Sequence, residues 1–229
     1  MAAFSIRCDS PVLVAEFTQP HAILSWSLTR PGFTIATSVA WLHVHDDDLP
    51  LGVDPARLLT DRMAAAGLQD AIPLMTSRDV RRHHVAQALA GLGADAVTAT
   101  CLATVGLGNA ARIGTSPAPH GGAGTINILV HVDRPLAQGA LVETISIAAQ
   151  ARTVALTDLA WSPYGAVVTG TGTDCIVIAA PPGADAEQFA GLHTNIGAAV
   201  GRAVYDAVHS GSRAWITEQQ PPTKIARTA

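Results

Sequence analysis

The stretch VLVAEFTQPHAILSWSLTRPGFTIATSVAWLHV, residues 12–44, decides the fold class. It is rich in β-branched and aromatic residues, which favour extended strands, and contains three such runs at 12–17, 22–28 and 34–44. Pro20, Pro31 and Gly32 separate the runs. The pattern predicts a set of antiparallel strands at the start of the chain.

The rest of the chain mixes helical and strand patterns without a regular alternation. Asp54 before Pro55 is typical of a helix start and Gly67 of its end, which predicts a helix over 55–66. Further strands are expected at 96–105, 125–132, 166–169 and 175–179, and helices within 135–159 and at 193–208. This order favours an α+β fold, with a mixed or antiparallel sheet packed against helices, and leaves a three-layer arrangement open.

Length and composition indicate one domain. A chain of 229 residues with 48% apolar side chains can bury one substantial core. We expect that domain to span residues 1–210. Residues 211–229 are polar and lose their periodicity, so we expect them to form a loosely ordered tail.

Composition also excludes several classes of function. No apolar run reaches the roughly 18 residues that a membrane helix needs, and the start lacks a basic stretch followed by an apolar one, so we expect a cytoplasmic protein without membrane contact. The net charge is -4 without a basic patch, which makes nucleic acid an unsuitable partner. The only lysine, Lys224, lies in the polar tail, which argues against Schiff-base chemistry.

The segment Thr169-Gly170-Thr171-Gly172-Thr173-Asp174 places hydroxyls and glycines between two apolar strands. Its backbone amides could hold an oxyanion, and the Asp174 carboxylate could orient a histidine, for which His193 at a helix start is the candidate. The structural alternatives are a plain β-turn and a capping or surface histidine.

The segment Val105-Gly106-Leu107-Gly108-Asn109-Ala110-Ala111-Arg112 resembles a dinucleotide-binding loop only superficially, because the third glycine is missing. Asn109 offers a donor and an acceptor, and Arg112 offers a planar cation. The pair suits the carboxamide or phosphate groups of a large ligand. The alternative is a turn asparagine and a surface arginine.

Two further patterns concern metal binding and self-cleavage. His43, His45 and Asp47 alternate and would share one face of a strand, as metal ligands can, but the neighbouring Asp46, Asp48 and Pro50 favour a polar loop. We therefore expect no metal site. Gly124-Thr125 precedes a strand, the context in which self-cleaving hydrolases free a threonine amine to act as base.

Taken together, these segments resemble the adenosylcobinamide amidohydrolase (CbiZ) family over most of the chain up to Val208. The segments that carry the resemblance are 73–80, 103–110, 124–128, 169–174 and 191–194, in the family's order. The resemblance implies hydrolysis of adenosylcobinamide to adenosylcobyric acid and aminopropanol in corrinoid salvage.

From the chemistry of the candidate residues we hypothesise their roles in amide hydrolysis. His193, oriented by Asp174, would be the general base and then acid, and Thr171 or Thr173 would be the nucleophile or position a water. The corrinoid would be held by Asn109, Arg112 and Asn127 and by the glycines Gly108, Gly170 and Gly172.

No cofactor is expected, since the corrinoid substrate carries its own cobalt. A small-molecule corrinoid is the expected partner, and a homo-oligomer is left open. The alternative function is a non-catalytic corrinoid-binding or delivery module.

Overall fold

The computed structural model describes residues 3–115, 122–163 and 165–219. Within these ranges the chain forms ten strands: β1 Ser5–Asp9, β2 Val12–Ser25, β3 Gly32–His43, β4 Ile72–Thr76, β5 His84–Ala90, β6 Val97–Val105, β7 Ala110–Ala111, β8 Ile126–Val132, β9 Gly170–Thr171 and β10 Cys175–Ala180. Three α-helices accompany them: α1 Pro55–Ala65, α2 Gln138–Thr157 and α3 Asn195–Gln219.

Eight of the strands form one mixed sheet. Its order is β4-β3-β2-β10-β8-β6-β5, with β1 also paired to β2. The pairs β3/β4 and β8/β10 are parallel, and the other pairs are antiparallel. The expected α+β fold, a single domain with a mixed sheet against helices, is confirmed.

Alternate residues of the strands enter different cores, as the two-residue period of a strand requires. One face of β6, β8 and β10 packs against α2 and α3. The opposite face packs against residues of β2, β3 and β4, such as Leu13, Trp41 and Leu74. The outer side of β2 and β3 is covered by α1 through Leu59 and Met63. The molecule therefore has four layers. They are formed, in order, by α2 and α3, by β6, β8 and β10, by β2, β3 and β4, and by α1.

The length of β2 and β3 makes this layering feasible. Strand β2 runs through Pro20 without ending, and an irregularity in its register with β3 falls between Glu16 and His21. The two separate strands expected at 12–17 and 22–28 are thus one bent strand. Its first part packs over the sheet, and its second part pairs with β10.

The helices begin largely where the sequence predicts. The Asp54 carboxylate caps α1 by accepting from the Ala56 amide at 2.9 Å, and Gly67 follows the helix with φ of 72°. Helix α3 differs: the loose tail expected from residue 211 is wrong as far as Gln219, because the helix continues there.

Packing explains the extra turns of α3. Gly211 is buried against β6, where a Cβ would lie 2.7 Å from a Val105 methyl group, and the Trp215 ring lies edge-on to Trp161 at 5.4 Å. Residues 220–229 lie outside the described residues. None of the helices in the described ranges is both long and apolar enough to cross a membrane.

Candidate functional site

A pocket of about 580 Å³ opens where β4 ends, β8 begins and the turn before β10 meets them. The loop after β2 and the loop after β3 complete its wall. Its surface is mostly apolar, and a cluster of hydrogen-bonded polar side chains forms one side of it. The lining residues that bear on function are Trp26, Leu28, His45, Asn109, Thr125, Asn127, Thr173 and Asp174.

The polar side of the pocket is a network around Thr125 and Thr173. The Thr125 hydroxyl donates to the Thr173 carbonyl at 2.8 Å, and the Thr173 hydroxyl donates to the Gly124 carbonyl at 3.0 Å. The Asn127 side-chain amide donates to the Met75 carbonyl at 2.8 Å. These bonds join the turn before β10, the start of β8 and the end of β4 into one rigid surface.

Asp174 lines the pocket, but its carboxylate is buried and bound by other groups. Its carboxylate accepts from the Ile126 amide and the Thr171 amide, both at 3.1 Å, and from the Thr171 hydroxyl. The Arg152 guanidinium of α2 completes its shell at 2.7 Å. Burial raises the pKa of the Asp174 carboxyl, and the Arg152 charge opposes that rise. With all these donors the carboxylate is suited to holding backbone in place.

Asn109 is a further polar residue that lines the pocket. Its Nδ2 lies 3.5 Å from the Thr173 hydroxyl, and its buried Oδ1 has no hydrogen-bond partner among the described residues. A buried amide oxygen without a partner is costly unless a ligand or water donates to it. The side chain is therefore available to an incoming amide or hydroxyl.

The expected substrate-binding glycines divide into two kinds. Gly172 lines the pocket. Gly108 instead packs on the segment before β8, where an added Cβ would lie 2.3 Å from the Ala123 carbonyl oxygen, and a Cβ on Gly170 would lie 2.8 Å from the Asp174 carboxylate. Gly108 and Gly170 thus allow close packing behind the pocket.

The structure does not bring His193 to Asp174. His193 is exposed in the loop before α3, and this loop is held by Asn195, which donates to the Asp95 carbonyl at 2.9 Å. Asp95 precedes β6, whereas the pocket lies at the far end of that strand, about 30 Å away for nine residues. The expected His193–Asp174 pair is wrong, because the chain returns to α3 at the opposite edge of the sheet.

Arg112 also lies away from the pocket. It is exposed and donates to the Val167 carbonyl at 3.0 Å, which fastens β7 to the segment before β9. The expected site residues that line the pocket are Asn109, Asn127, Gly172, Thr173 and Asp174, and the Thr171 hydroxyl donates to the Asp174 carboxylate.

Of the two alternating histidines, His45 lines the pocket and His43 does not. Asp46 also lines it, and the rings of His43 and His45 are 4.5 Å apart. Asp48 instead pairs with Arg62 of α1 at 2.6 Å. Across the described residues no three potential metal ligands come together.

Sequence reasoning missed two participants. Trp26 donates from its indole nitrogen to the Asp174 carbonyl at 2.7 Å, and its ring, 44% exposed, forms part of the pocket wall. Arg152 holds the Asp174 carboxylate. A signal for Arg152 existed, since α2 carries only Glu143 and Arg152 as charged residues and a lone cation on an apolar helix needs a partner. Trp26 had no comparable signal.

Comparisons with known sequences agree on one family. A family model described as adenosylcobinamide amidohydrolase matches residues 2–220. A curated adenosylcobinamide amidohydrolase from Halobacterium salinarum is 32% identical, over 86% of this chain and 83% of its own.

Solved structures give more distant likenesses. The alignment with the PH0078 protein from Pyrococcus horikoshii OT3 covers 95% of this chain and 80% of that protein, at 10% identity and a TM-score of 0.48. An L-aminopeptidase D-Ala-esterase/amidase from Ochrobactrum anthropi covers 92% and 83%, at 14% identity and a TM-score of 0.44.

Proposed function

We propose a function from the premise that this chain belongs to the adenosylcobinamide amidohydrolase family, whose model spans nearly its whole length. The chain hydrolyses the amide that joins aminopropanol to the corrin ring of adenosylcobinamide. The products are adenosylcobyric acid and 1-aminopropan-2-ol. The reaction belongs to cytoplasmic corrinoid salvage and cobamide remodelling.

The observation that carries this proposal is the pocket, with apolar walls and one polar side on which amide and hydroxyl groups converge. Its volume of about 580 Å³ suits a molecule of drug size. A corrin ring with its upper nucleoside is much larger. The pocket therefore receives the aminopropanol arm, while the ring stays outside, against the partly exposed side chains of Trp26 and Leu28.

The polar groups match what amide hydrolysis requires. A tetrahedral intermediate carries negative charge on the former carbonyl oxygen, and fixed donors that face it lower the barrier by several kcal/mol. The Asn109 side-chain amide is the donor that lines the pocket, and the Thr173 hydroxyl can join it once it is released from the Gly124 carbonyl, to which it donates at 3.0 Å.

The roles expected from the sequence change accordingly. Asp174 is a positioning residue, because its oxygens are occupied by Arg152, Thr171 and the Ile126 amide. His193 has no role in the reaction, since it lies at the other end of the sheet. We keep the expectation that the chain needs no added metal or organic cofactor.

The test uses purified protein, treated with a chelator and incubated with adenosylcobinamide, with adenosylcobyric acid followed by chromatography and mass. Formation of adenosylcobyric acid without added metal supports both the function and metal independence. Product only after a divalent metal is restored keeps the function and overturns metal independence. No product under either condition overturns the hydrolase.

The second candidate, a corrinoid-binding or delivery module, is favoured by one observation. Four of the described residues that line the pocket are ionisable: His45 and Asp46 are exposed, the Asp174 carboxylate is paired with Arg152, and burial raises the pKa of the Cys175 thiol to about 12. A binding module needs no more than that. Equilibrium binding of adenosylcobinamide without turnover, over hours and with metal restored, would identify it.

A further inference from the structure

The peptide bond between Gly124 and Thr125 lies on the polar side of the pocket and is bound from two directions. Thr173 donates its hydroxyl to the Gly124 carbonyl at 3.0 Å, and its own carbonyl accepts the Thr125 hydroxyl at 2.8 Å. One residue thus polarises the carbonyl of this bond and orients the hydroxyl next to it. A hydroxyl beside a polarised carbonyl is the arrangement from which an acyl shift begins.

The bond is held firmly on both sides. Before it, Gly124 lies so close to the 106–109 segment that a Cβ would be 2.5 Å from the Gly108 nitrogen. After it, the Thr125 carbonyl accepts from the Gly106 amide at 2.9 Å, and Asp174 fixes the Ile126 amide. Fixed geometry of this kind favours an intramolecular reaction, because the reacting atoms need no further ordering.

Among the described residues that line the pocket none is an evident base, and burial raises the pKa of the Cys175 thiol to about 12. Among the described lining residues, carboxyl or imidazole groups occur on His45, Asp46 and Asp174. The first two are exposed at the mouth, and Asp174 is held by Arg152 at 2.7 Å. A free amine on Thr125 would supply a base next to the hydroxyl it activates.

We propose that the chain cleaves its own Gly124–Thr125 peptide bond and that the freed Thr125 is the nucleophile of the hydrolase. In the first step the Thr125 Oγ1 attacks the Gly124 carbonyl carbon. The hydroxyl proton passes to the Thr125 nitrogen, the C–N bond breaks and an ester forms. Water then hydrolyses the ester, which leaves a carboxylate on Gly124 and an amine and a hydroxyl on Thr125.

The same residue then acts on substrate, and this half of the inference rests on the proposed function. The Thr125 amine takes the proton of Oγ1 as the oxygen attacks the substrate amide carbonyl, and gives it to the departing aminopropanol nitrogen. Water splits the resulting ester, releases adenosylcobyric acid and restores the hydroxyl. The Thr173 hydroxyl, released from Gly124, faces the oxyanion in this cycle.

The fold tolerates the cut, because the sheet interleaves the two fragments. The first fragment contributes β2 and β6, and the second contributes β8 and β10. Strand β8 pairs with β6, and β10 pairs with β2, so both parts remain in one sheet. The fragments should elute together from gel filtration and separate only in denaturant.

The test is the denatured mass of the freshly purified full chain, followed through incubation at neutral pH. We expect two fragments, 1–124 and 125–229, whose summed mass exceeds that of the intact chain by one water, with Thr-Ile-Asn at the new amino terminus. Thr125→Ala should stay intact, Thr125→Ser should be cut, and Thr173→Val should be cut at least roughly tenfold more slowly, as the loss of a carbonyl donor predicts. Thr115→Ala, which changes another Gly-Thr sequence nearby, should be cut like wild type.

The outcomes separate this inference from the function. A wild-type chain that stays intact while it turns over adenosylcobinamide overturns the self-cleavage and leaves the hydrolase standing. A chain that is cut but forms no adenosylcobyric acid supports the self-cleavage and overturns the hydrolase. An intact, inactive chain overturns both, and cleavage of Thr125→Ala shows that another agent makes the cut.

Discussion

Asp174 and Arg152 form a buried ion pair, with a guanidinium nitrogen 2.7 Å from the carboxylate and side-chain exposures of 7% and 17%. The pair joins α2 to the turn that carries Thr173. The Ile126 amide, at the start of β8, donates to the same carboxylate. The geometry of the pocket thus depends on a contact that lies outside it.

Removing the cation should destabilise the protein. Arg152→Met leaves the Asp174 carboxylate buried without its partner, and breaking such a pair typically costs about 3–5 kcal/mol. We expect Arg152→Met to lower the free energy of unfolding, measured in denaturant, by at least about 2 kcal/mol. The double variant with Asp174→Asn should recover part of that loss. Arg112→Met, at an exposed arginine, is the control, and equal losses in the two single variants would contradict the assignment.

The turnover of His193→Ala and Thr173→Val tests which of the two side chains takes part in the reaction. His193→Ala should keep near-wild-type kcat/KM, because its side chain is exposed at the far end of the sheet. Thr173→Val should reduce kcat about 100-fold, the scale reported for the loss of one oxyanion donor. The measurement is initial rate against adenosylcobinamide concentration. A 100-fold loss for His193→Ala in a folded protein would restore it as the general base.

The fold class could be predicted from sequence, because strand and helix periods are local properties. The caps at Asp54 and Gly67 locate α1, and the apolar runs locate β6, β8 and β10, whereas the strand expected at 166–169 is wrong, since those residues form a loop before β9. What failed depended on distant contacts. Pro20 does not end β2, and Gly211 does not end α3, because packing partners elsewhere in the chain compensate.

In the candidate site too, local patterns could be predicted from the sequence and distant contacts could not. The Thr169–Asp174 run was identified from its glycines and hydroxyls, and the structure places its Thr173 on the pocket. The partner expected for Asp174, His193, is wrong. The position of His193 at a helix start favours it as the partner, but β10 carries the chain from Asp174 towards the other end of the sheet. The Arg152 guanidinium of α2 binds the carboxylate instead. Which side chain faces a carboxylate is decided by the topology of the whole sheet, which local patterns do not specify.

Trp26 should contribute to binding of the corrinoid. Its ring is 44% exposed at the pocket, and an aromatic contact of this kind is worth about 0.5–1.5 kcal/mol. We expect Trp26→Ala to raise KM about three- to tenfold with a smaller change in kcat, and Trp26→Phe to raise it less. Phe189→Ala, at a 70% exposed aromatic ring in the loop before α3, is the matched control. A Trp26→Ala variant with unchanged KM would show that the ring does not contact the substrate.

A buried pair of histidines should make stability fall in acid. The Nε2 atoms of His21 and His131 lie 3.2 Å apart, stacked near Phe17, and at least one ring must be neutral to accept that bond. Burial lowers the pKa of His21, and burial with the neighbouring His21 lowers the pKa of His131 to about 4. Both rings are therefore neutral in the folded chain at pH 7.

The sign follows from the protons bound in each state. Below about pH 6.5 the unfolded chain protonates His131 while the folded chain does not, so the free energy of unfolding decreases as the pH falls from about 6.5 towards 4. Because each pKa unit is worth about 1.4 kcal/mol, the loss attributable to His131 is of the order of 3 kcal/mol. His131→Gln should flatten the slope of unfolding free energy against pH, measured by denaturant unfolding between pH 7 and 4.5, whereas His193→Gln, the same change at an exposed site, should keep it. Equal slopes in His131→Gln and wild type would show that the pair does not govern the acid response.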